Sequence, residues 1–323
     1  PGDPCRAALG ERATDEICDA YTERVGLDKP IIVQLGTYMA DLFTGNLGES
    51  VSQRRPVTEI LVERLPTTME LAVSALMLAV LIGVPLGVVA AYRRNSLTDV
   101  GTMIGANVGV SMPVFWLGLM LQYVFAVVLK DTALALPASG RLTAGVISTP
   151  FYETWGLEKN GVLDFISNME IVNGLLQWRW DLVVDATRHL ILPTVALATI
   201  PMALIARITR SSLLDTLGLD YVRTARAKGL GEMGVVTRHG MRNALLPVVT
   251  VIGLSLGSLL GGAILTETIF GLTGVGKTLY DAITARDYTV VQGFTLVIAI
   301  GFVVVNLITD VVYTVLDPRV RVS

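Results

Sequence analysis

The string GLTGVGKT at Gly271 to Thr278 satisfies the pattern G-x-x-x-x-G-K-[ST] letter for letter. In that pattern backbone amides cradle phosphates and the lysine reaches them, so the chemistry on offer is nucleotide binding. A second group is cationic. Asp220 opens the run DYVRTARAKG, in which Arg223, Thr224, Ala225, Arg226, Lys228 and Gly229 form a compact basic peg. Such a peg suits an anionic lipid surface or a groove on a protein partner. A third group is redox: Cys5 and Cys18 are the only cysteines. In an oxidising compartment they can close a loop of roughly 15 residues, which stabilises by about 3 kcal/mol in the chain-entropy model. The alternative is two unpaired thiols. His189 and His239 fall at the edges of apolar runs, where interfacial or capping roles suffice, and no clustered His/Cys set suggests a metal. No segment gathers a nucleophile, a base and an orienting group, which argues against an enzyme.

The elements that must position these groups are apolar. Of 323 residues, 52% are hydrophobic and 16% charged, against about 25% charged in soluble domains, and the deficit is concentrated in long runs. That composition excludes a disordered chain and disfavours an ordinary cytosolic enzyme. A net charge of -3 gives no overall basic field for nucleic acid. Five stretches are long enough to cross the bilayer core, which takes about 20 helical residues: Thr67 to Ala91, Gly101 to Leu129, Leu190 to Ile208, Leu245 to Thr266 and Thr289 to Tyr313. Glu70, Arg207 and Asp310 lie only near span ends. Pro85, Pro113 and Pro201 fall inside the runs and are read as kinks, because neighbouring helices can satisfy the freed carbonyls. The fold class expected is an all-α membrane protein.

Charge between the spans orients them. Residues 207–244 carry seven Arg/Lys against three acids, residues 92–100 two against one, and the tail from 314 two against one. The alternate segments run the other way: residues 1–66 carry seven bases against eleven acids, residues 130–187 four against seven, and residues 267–288 two against three. By the positive-inside rule the basic side is the cytoplasm. The expected organisation is an extracytoplasmic segment 1–66, a membrane domain 67–313 whose loop 209–244 is cytoplasmic, and a cytoplasmic tail 314–323. An exported segment ahead of the first span calls for a preceding element, either a cleaved signal peptide or a sixth helix.

This topology discounts the phosphate-loop match. A working loop follows a buried strand in the cytosol, whereas GLTGVGKT follows a spanning run on the acidic side, and no acid-ended apolar strand supplies a magnesium partner. The reading preferred is a Gly-rich external turn. The basic loop gains weight instead. Leu213, Leu214 and Leu217 continue the third span past the membrane, Asp220 is placed to cap a short helix, and Gly229 to end it.

The string DYVRTARAKG, with His239 and Arg242-Asn243-Ala244-Leu245-Leu246-Pro247, resembles the EAA loop of ATP-binding cassette importer permeases in the dipeptide, oligopeptide and nickel branch. The resemblance extends along nearly the whole chain: PGDP at Pro1 to Pro4, GLDKP at Gly26 to Pro30, GNLGES at Gly45 to Ser50, SMPVFWLG at Ser111 to Gly118, LPASGR at Leu136 to Arg141, ILTETIF at Ile264 to Phe270, and DPRVR at Asp317 to Arg321. Arg223 and Thr224 replace the Glu and first Ala of the strict consensus, as is usual for the peptide branch. The resemblance implies a type I importer membrane domain in a prokaryotic inner membrane, preceded by a first helix. It also implies a second homologous permease subunit, two cytoplasmic ATP-binding subunits and an extracytoplasmic substrate-binding protein. ATP and magnesium would sit on those partners and no cofactor on this chain. Asp220, Arg223, Thr224, Ala225, Arg226, Lys228 and Gly229 would couple to the ATPase. Family members move dipeptides, oligopeptides, nickel complexes and glutathione. Peptide is the expected cargo, with nickel or another small solute as the alternative and an ion-gradient-driven transporter as a more distant one.

The translocation path is expected near Ser111, Met112, Pro113 and Trp116 in the second span and Ser255 and Ser258 in the fourth. Gly253, Gly257 and Gly261, four residues apart, mark a close helix seam, either within this bundle or against a second permease. Residues 130–187, with Trp155, Trp178 and Trp180, either receive the external binding protein or rest on lipid.

Overall fold

The computed structural model describes residues 5–6, 10 and 12–316. The motif at Pro1 to Pro4 and the tail from Asp317 lie outside the described residues. Helices follow one another: α1 (Asp15–Val25), α2 (Ile31–Phe43), α3 (Val57–Tyr92), α4 (Leu97–Ser111), α5 (Val114–Gln122), α6 (Phe151–Thr154), α7 (Gly161–Ser167), α8 (Glu170–Leu176), α9 (Trp180–Leu217), α10 (Asp220–Ala227), α11 (Glu232–Gly234), α12 (Met241–Gly262), α13 (Ile264–Ile269), α14 (Val275–Thr284) and α15 (Tyr288–Leu316). Tyr123–Val128 continues α5, and Val235–Gly240 joins α11 to α12, each as a π-helical turn. Four helices are long and apolar enough to cross a membrane, and the α4–α5 pair makes a fifth if it is one bent span.

That bend corrects the reading of Pro113. Pro85 and Pro201 do lie inside continuous helices, α3 and α9. At Pro113 the chain breaks instead: α4 ends at Ser111, Met112 is extended, Pro113 precedes α5, and the two helices meet at 95°. A residue before proline is pushed out of the helical region, and at this position it takes that course, whereas inside α3 and α9 the helix runs on through its proline. The fourth span also stops earlier than expected, at Gly262, leaving Thr266 and Glu267 on the short α13.

The centre of the bundle is the α3–α9 pair. Leu71, Ala72, Ala75 and Ala79 of α3 pack with Leu192, Ala196, Ala198 and Ile205 of α9. A Cβ on Gly83 would stand 2.7 Å from the Met202 carbonyl oxygen and one on Gly87 2.5 Å from that of Ala206, so glycine permits this backbone approach. In lipid, where apolar burial gives helices little reason to associate, small residues gain close van der Waals contact. The same logic resolves the α12 stripe: Gly253 lies against Thr309 and Gly257 against Phe302, both on α15. That seam is internal. Val290 and Phe294 near the start of α15 are buried, but its most apolar stretch holds no buried residue.

The amino-terminal segment carries an internal crosslink and an anchor to the rest of the chain. Cys5 and Cys18 are joined by a disulfide. Asp287, between α14 and α15, accepts from the Ser50 hydroxyl at 2.6 Å and from the Ser52 amide and hydroxyl at 3.0 and 2.8 Å.

Candidate functional site

Helix α10 is too short to stand alone in water, so its shape depends on docking. Val222 and Ala225 are buried against Val235, with Leu217 closing the cluster. Arg226 donates through Nε and Nη2 to both carboxylate oxygens of Glu232, the shortest contact being 2.6 Å, and through Nη1 to the Leu217 carbonyl at 3.3 Å. The Tyr221 hydroxyl donates to the His239 carbonyl at 3.1 Å and accepts from Asn243 Nδ2 at 2.8 Å. The peg is thereby fastened to the end of α9 and the start of α12.

This geometry sorts the expected coupling residues. Asp220, Arg223, Thr224 and Lys228 stand exposed, Ala225 is turned inward, and Arg226 is a tether rather than a free cation. Asp220 does not cap the helix. Leu219 holds the cap position without a side-chain bond, and the Asp220 carboxylate instead accepts from Arg223 at 3.4 Å. Gly229 ends the helix with φ of 78° in open space, so its role is the left-handed turn rather than relief of a clash within this chain. Sequence reasoning missed Glu232, Tyr221 and Asn243. The one available signal was a lone acid six residues after Arg226 in an otherwise basic stretch.

A further clamp lies beside the peg. Asp99, buried at the start of α4, accepts from Arg210 Nε at 2.6 Å and Nη2 at 2.8 Å, and from the Asn95 amide at 2.9 Å. A bidentate guanidinium–carboxylate pair fixes orientation as well as distance, so it pins the start of α4 to α9.

Farther into the bundle is a cavity of about 330 Å3. Ser255 and Ser258 line it, together with Val114, Leu197, Pro201 and Thr266. Ser111, Met112, Pro113 and Trp116 do not. The Ser111 hydroxyl bonds back to the Asn107 carbonyl at 2.8 Å, and Trp116 is 45% exposed on the surface of the chain. The contribution of Pro113 is indirect, since the break it makes brings Val114 to the wall.

At the opposite end from the peg, the GLTGVGKT segment opens a helix but follows α13 rather than a strand. Amides at the helix start that a phosphate would need are already taken. The Glu267 carboxylate, fully buried, accepts from the Lys277 amide at 2.8 Å and from the Thr68 hydroxyl at 2.6 Å, while the Val275 amide donates to Thr68 at 2.8 Å. Lys277 Nζ reaches Asp281 at 2.7 Å. An internal carboxylate thus neutralises the helix start in place of a ligand. Glu70 does the same for α8, accepting from the Ile171 amide at 2.7 Å and the Glu170 amide at 3.2 Å, with Arg141 of the LPASGR motif 3.6 Å away. His189 is a buried helical residue whose Nδ1 lies 2.9 Å from the Asp185 carbonyl.

Several lipid-length helices crossing around a small cavity, with a rigid peg strung between two of them, define a multi-pass membrane transport subunit. Residues 83–322 match the family model described as "Binding-protein-dependent transport system inner membrane component", and residues 1–72 match the model of its amino-terminal region. The chain belongs to this family, and its fold is the type I importer membrane domain. It is 46% identical over 321 residues to the dipeptide transport system permease protein DppB of Alkalihalophilus pseudofirmus, covering 99% of this chain and 91% of the relative. It is 45% identical over 322 residues to the di/tripeptide transport system permease protein DppB of Pseudomonas aeruginosa, covering 99% and 90%. It is 41% identical over 320 residues to the probable D,D-dipeptide transport system permease protein DdpB of Escherichia coli, covering 99% and 89%.

Proposed function

We propose that this chain is one of two permease subunits of an ATP-driven importer and forms half of the path for di- or oligopeptides delivered by an external binding protein. The observation that carries the reading is the docked peg: a short helix exposing Asp220, Arg223, Thr224 and Lys228 while bolted through Val222, Ala225 and Arg226 to two spanning helices. Pulling on that face from a separate motor would tilt α9 and α12, and the Asp99–Arg210 clamp would carry α4 along. Two cytoplasmic subunits would bind and hydrolyse ATP with magnesium, leaving this chain without a cofactor. The peg and carboxyl terminus would face the cytoplasm, and the amino-terminal segment the exterior. A disulfide in that segment agrees with an oxidising side. The peptide names of the relatives favour peptide over nickel as cargo. The test is uptake of a dipeptide into proteoliposomes holding this chain with its neighbouring permease, ATPase and binding protein. Uptake should require ATP on the side of the peg. Uptake driven by a proton gradient with no ATPase present would refute the proposal.

A further inference from the structure

The cavity between α5, α9, α12 and α13 has no charged side chain in its lining. Ser255 is only 8% exposed, yet neither its hydroxyl nor that of Ser258 has a hydrogen-bond partner among the described residues. The Thr266 hydroxyl behind them is also buried and unpaired. Ser258 is exposed, but buried hydroxyls are rarely left so, and those of Ser255 and Thr266 beside one hollow need an explanation. A further polar group is left without its helical partner on α9. Pro201 has no N–H, so the carbonyl of Leu197, one turn back, loses its helical donor, and both residues line the cavity. The result is a neutral site with hydroxyl donors on one side, a carbonyl acceptor on the other, and apolar walls from Ile200, Leu204 and Leu254.

We propose that this cavity is a transit site for the peptide bond itself. The Ser255 and Ser258 hydroxyls donate to the cargo's amide carbonyl, the Leu197 carbonyl accepts from its N–H, and the apolar walls take side chains of varied shape. Nothing in the lining matches the charged termini, so the site reads the amide and tolerates the rest. This deepens the peptide-permease reading and rests on it.

The test compares uptake of alanyl-alanine with that of its ester analogue, in which oxygen replaces the amide N–H, by the complete complex in proteoliposomes. The external binding protein has its own preference between the two, which cancels when the amide-to-ester ratio is compared between permease variants. Ser255→Ala and Ser258→Ala should lower uptake of both cargoes two- to tenfold, because each cargo keeps the carbonyl that the hydroxyls bind. Pro201→Ala, which gives the Leu197 carbonyl an N–H partner again, should instead lower amide uptake alone and collapse the ratio toward one. A ratio that Pro201→Ala leaves unchanged, or unchanged uptake of both cargoes in the serine variants, would overturn the proposal. Equal loss accompanied by dissociation of the second permease would assign the cavity to a subunit seam instead. If the unaltered complex takes up neither cargo with ATP, the peptide-permease reading fails first and this site falls with it.

Discussion

Undocking α10 without unfolding the bundle should separate ATP hydrolysis from transport. Val222 is fully buried in the small cluster with Ala225 and Val235. Val222→Ala removes two methyl groups at about 0.8 kcal/mol each and leaves a void, which together cost about 2 kcal/mol. Because an eight-residue helix has little stability of its own, that loss falls almost wholly on the docking equilibrium, about a 30-fold change. Arg226→Ala is milder: the pair with Glu232 has side chains 37% and 44% exposed, so solvent screening holds it to about 0.5–1 kcal/mol, a two- to fivefold change. The assay is hydrogen exchange of the α10 amides alongside peptides taken up per ATP hydrolysed in the assembled complex. Exchange should quicken in the order Arg226→Ala, then Val222→Ala, transport per ATP should fall in the same order, and the melting temperature of the spanning bundle should stay put. If Val222→Ala leaves α10 protected, or exchange quickens with the coupling ratio intact, the peg does not transmit the work.

Three other outcomes follow from named contacts. Lys277→Ala should leave ATP-dependent uptake largely intact, because Glu267 and Thr68 already occupy the helix start that a phosphate would need; complete loss of ATP hydrolysis in the complex would restore the nucleotide reading. Gly229→Ala places a side chain at φ of 78°, at a cost of about 1–2 kcal/mol, and should weaken α10 protection without altering the α3–α9 pair; unchanged exchange would show that the turn is not needed. Asp287 feels burial pushing its pKa up, but the hydroxyl of Ser50 and the amide and hydroxyl of Ser52 outweigh it and hold the pKa below the usual carboxylate value. A depressed folded pKa gives stability that is complete above about pH 4 and lost as pH falls through the lowered value. Proteolysis of the segment 46–56 should therefore accelerate only in strong acid, and Asp287→Asn should make it fast already at neutral pH; equal rates in both proteins would remove the anchor.

Much of the membrane architecture was legible in order and type, because apolar runs of bilayer length leave a backbone one local solution, the helix. The peg was legible for a similar reason: a short polar window ending in glycine specifies a helix and its stop from neighbours a few residues away. Its inner face was not. That Ala225 turns inward and Arg226 grips Glu232 depends on where α9 and α12 place Leu217 and Val235. The prolines make the same point, since Pro85, Pro113 and Pro201 look alike in sequence and only the middle one breaks its helix.

Composition and spacing, then, determined by themselves that this chain belongs in a membrane, which runs are apolar enough to form long helices, and where a basic helix interrupts them, since each rests on interactions within a turn or two. Tertiary structure alone decided that Thr68 meets Glu267, that Asp99 meets Arg210, and that the α12 glycines serve α15 rather than a second subunit. Those pairs join residues about fifty to two hundred positions apart, and a contact over such a span exists only once the helices between have chosen their neighbours.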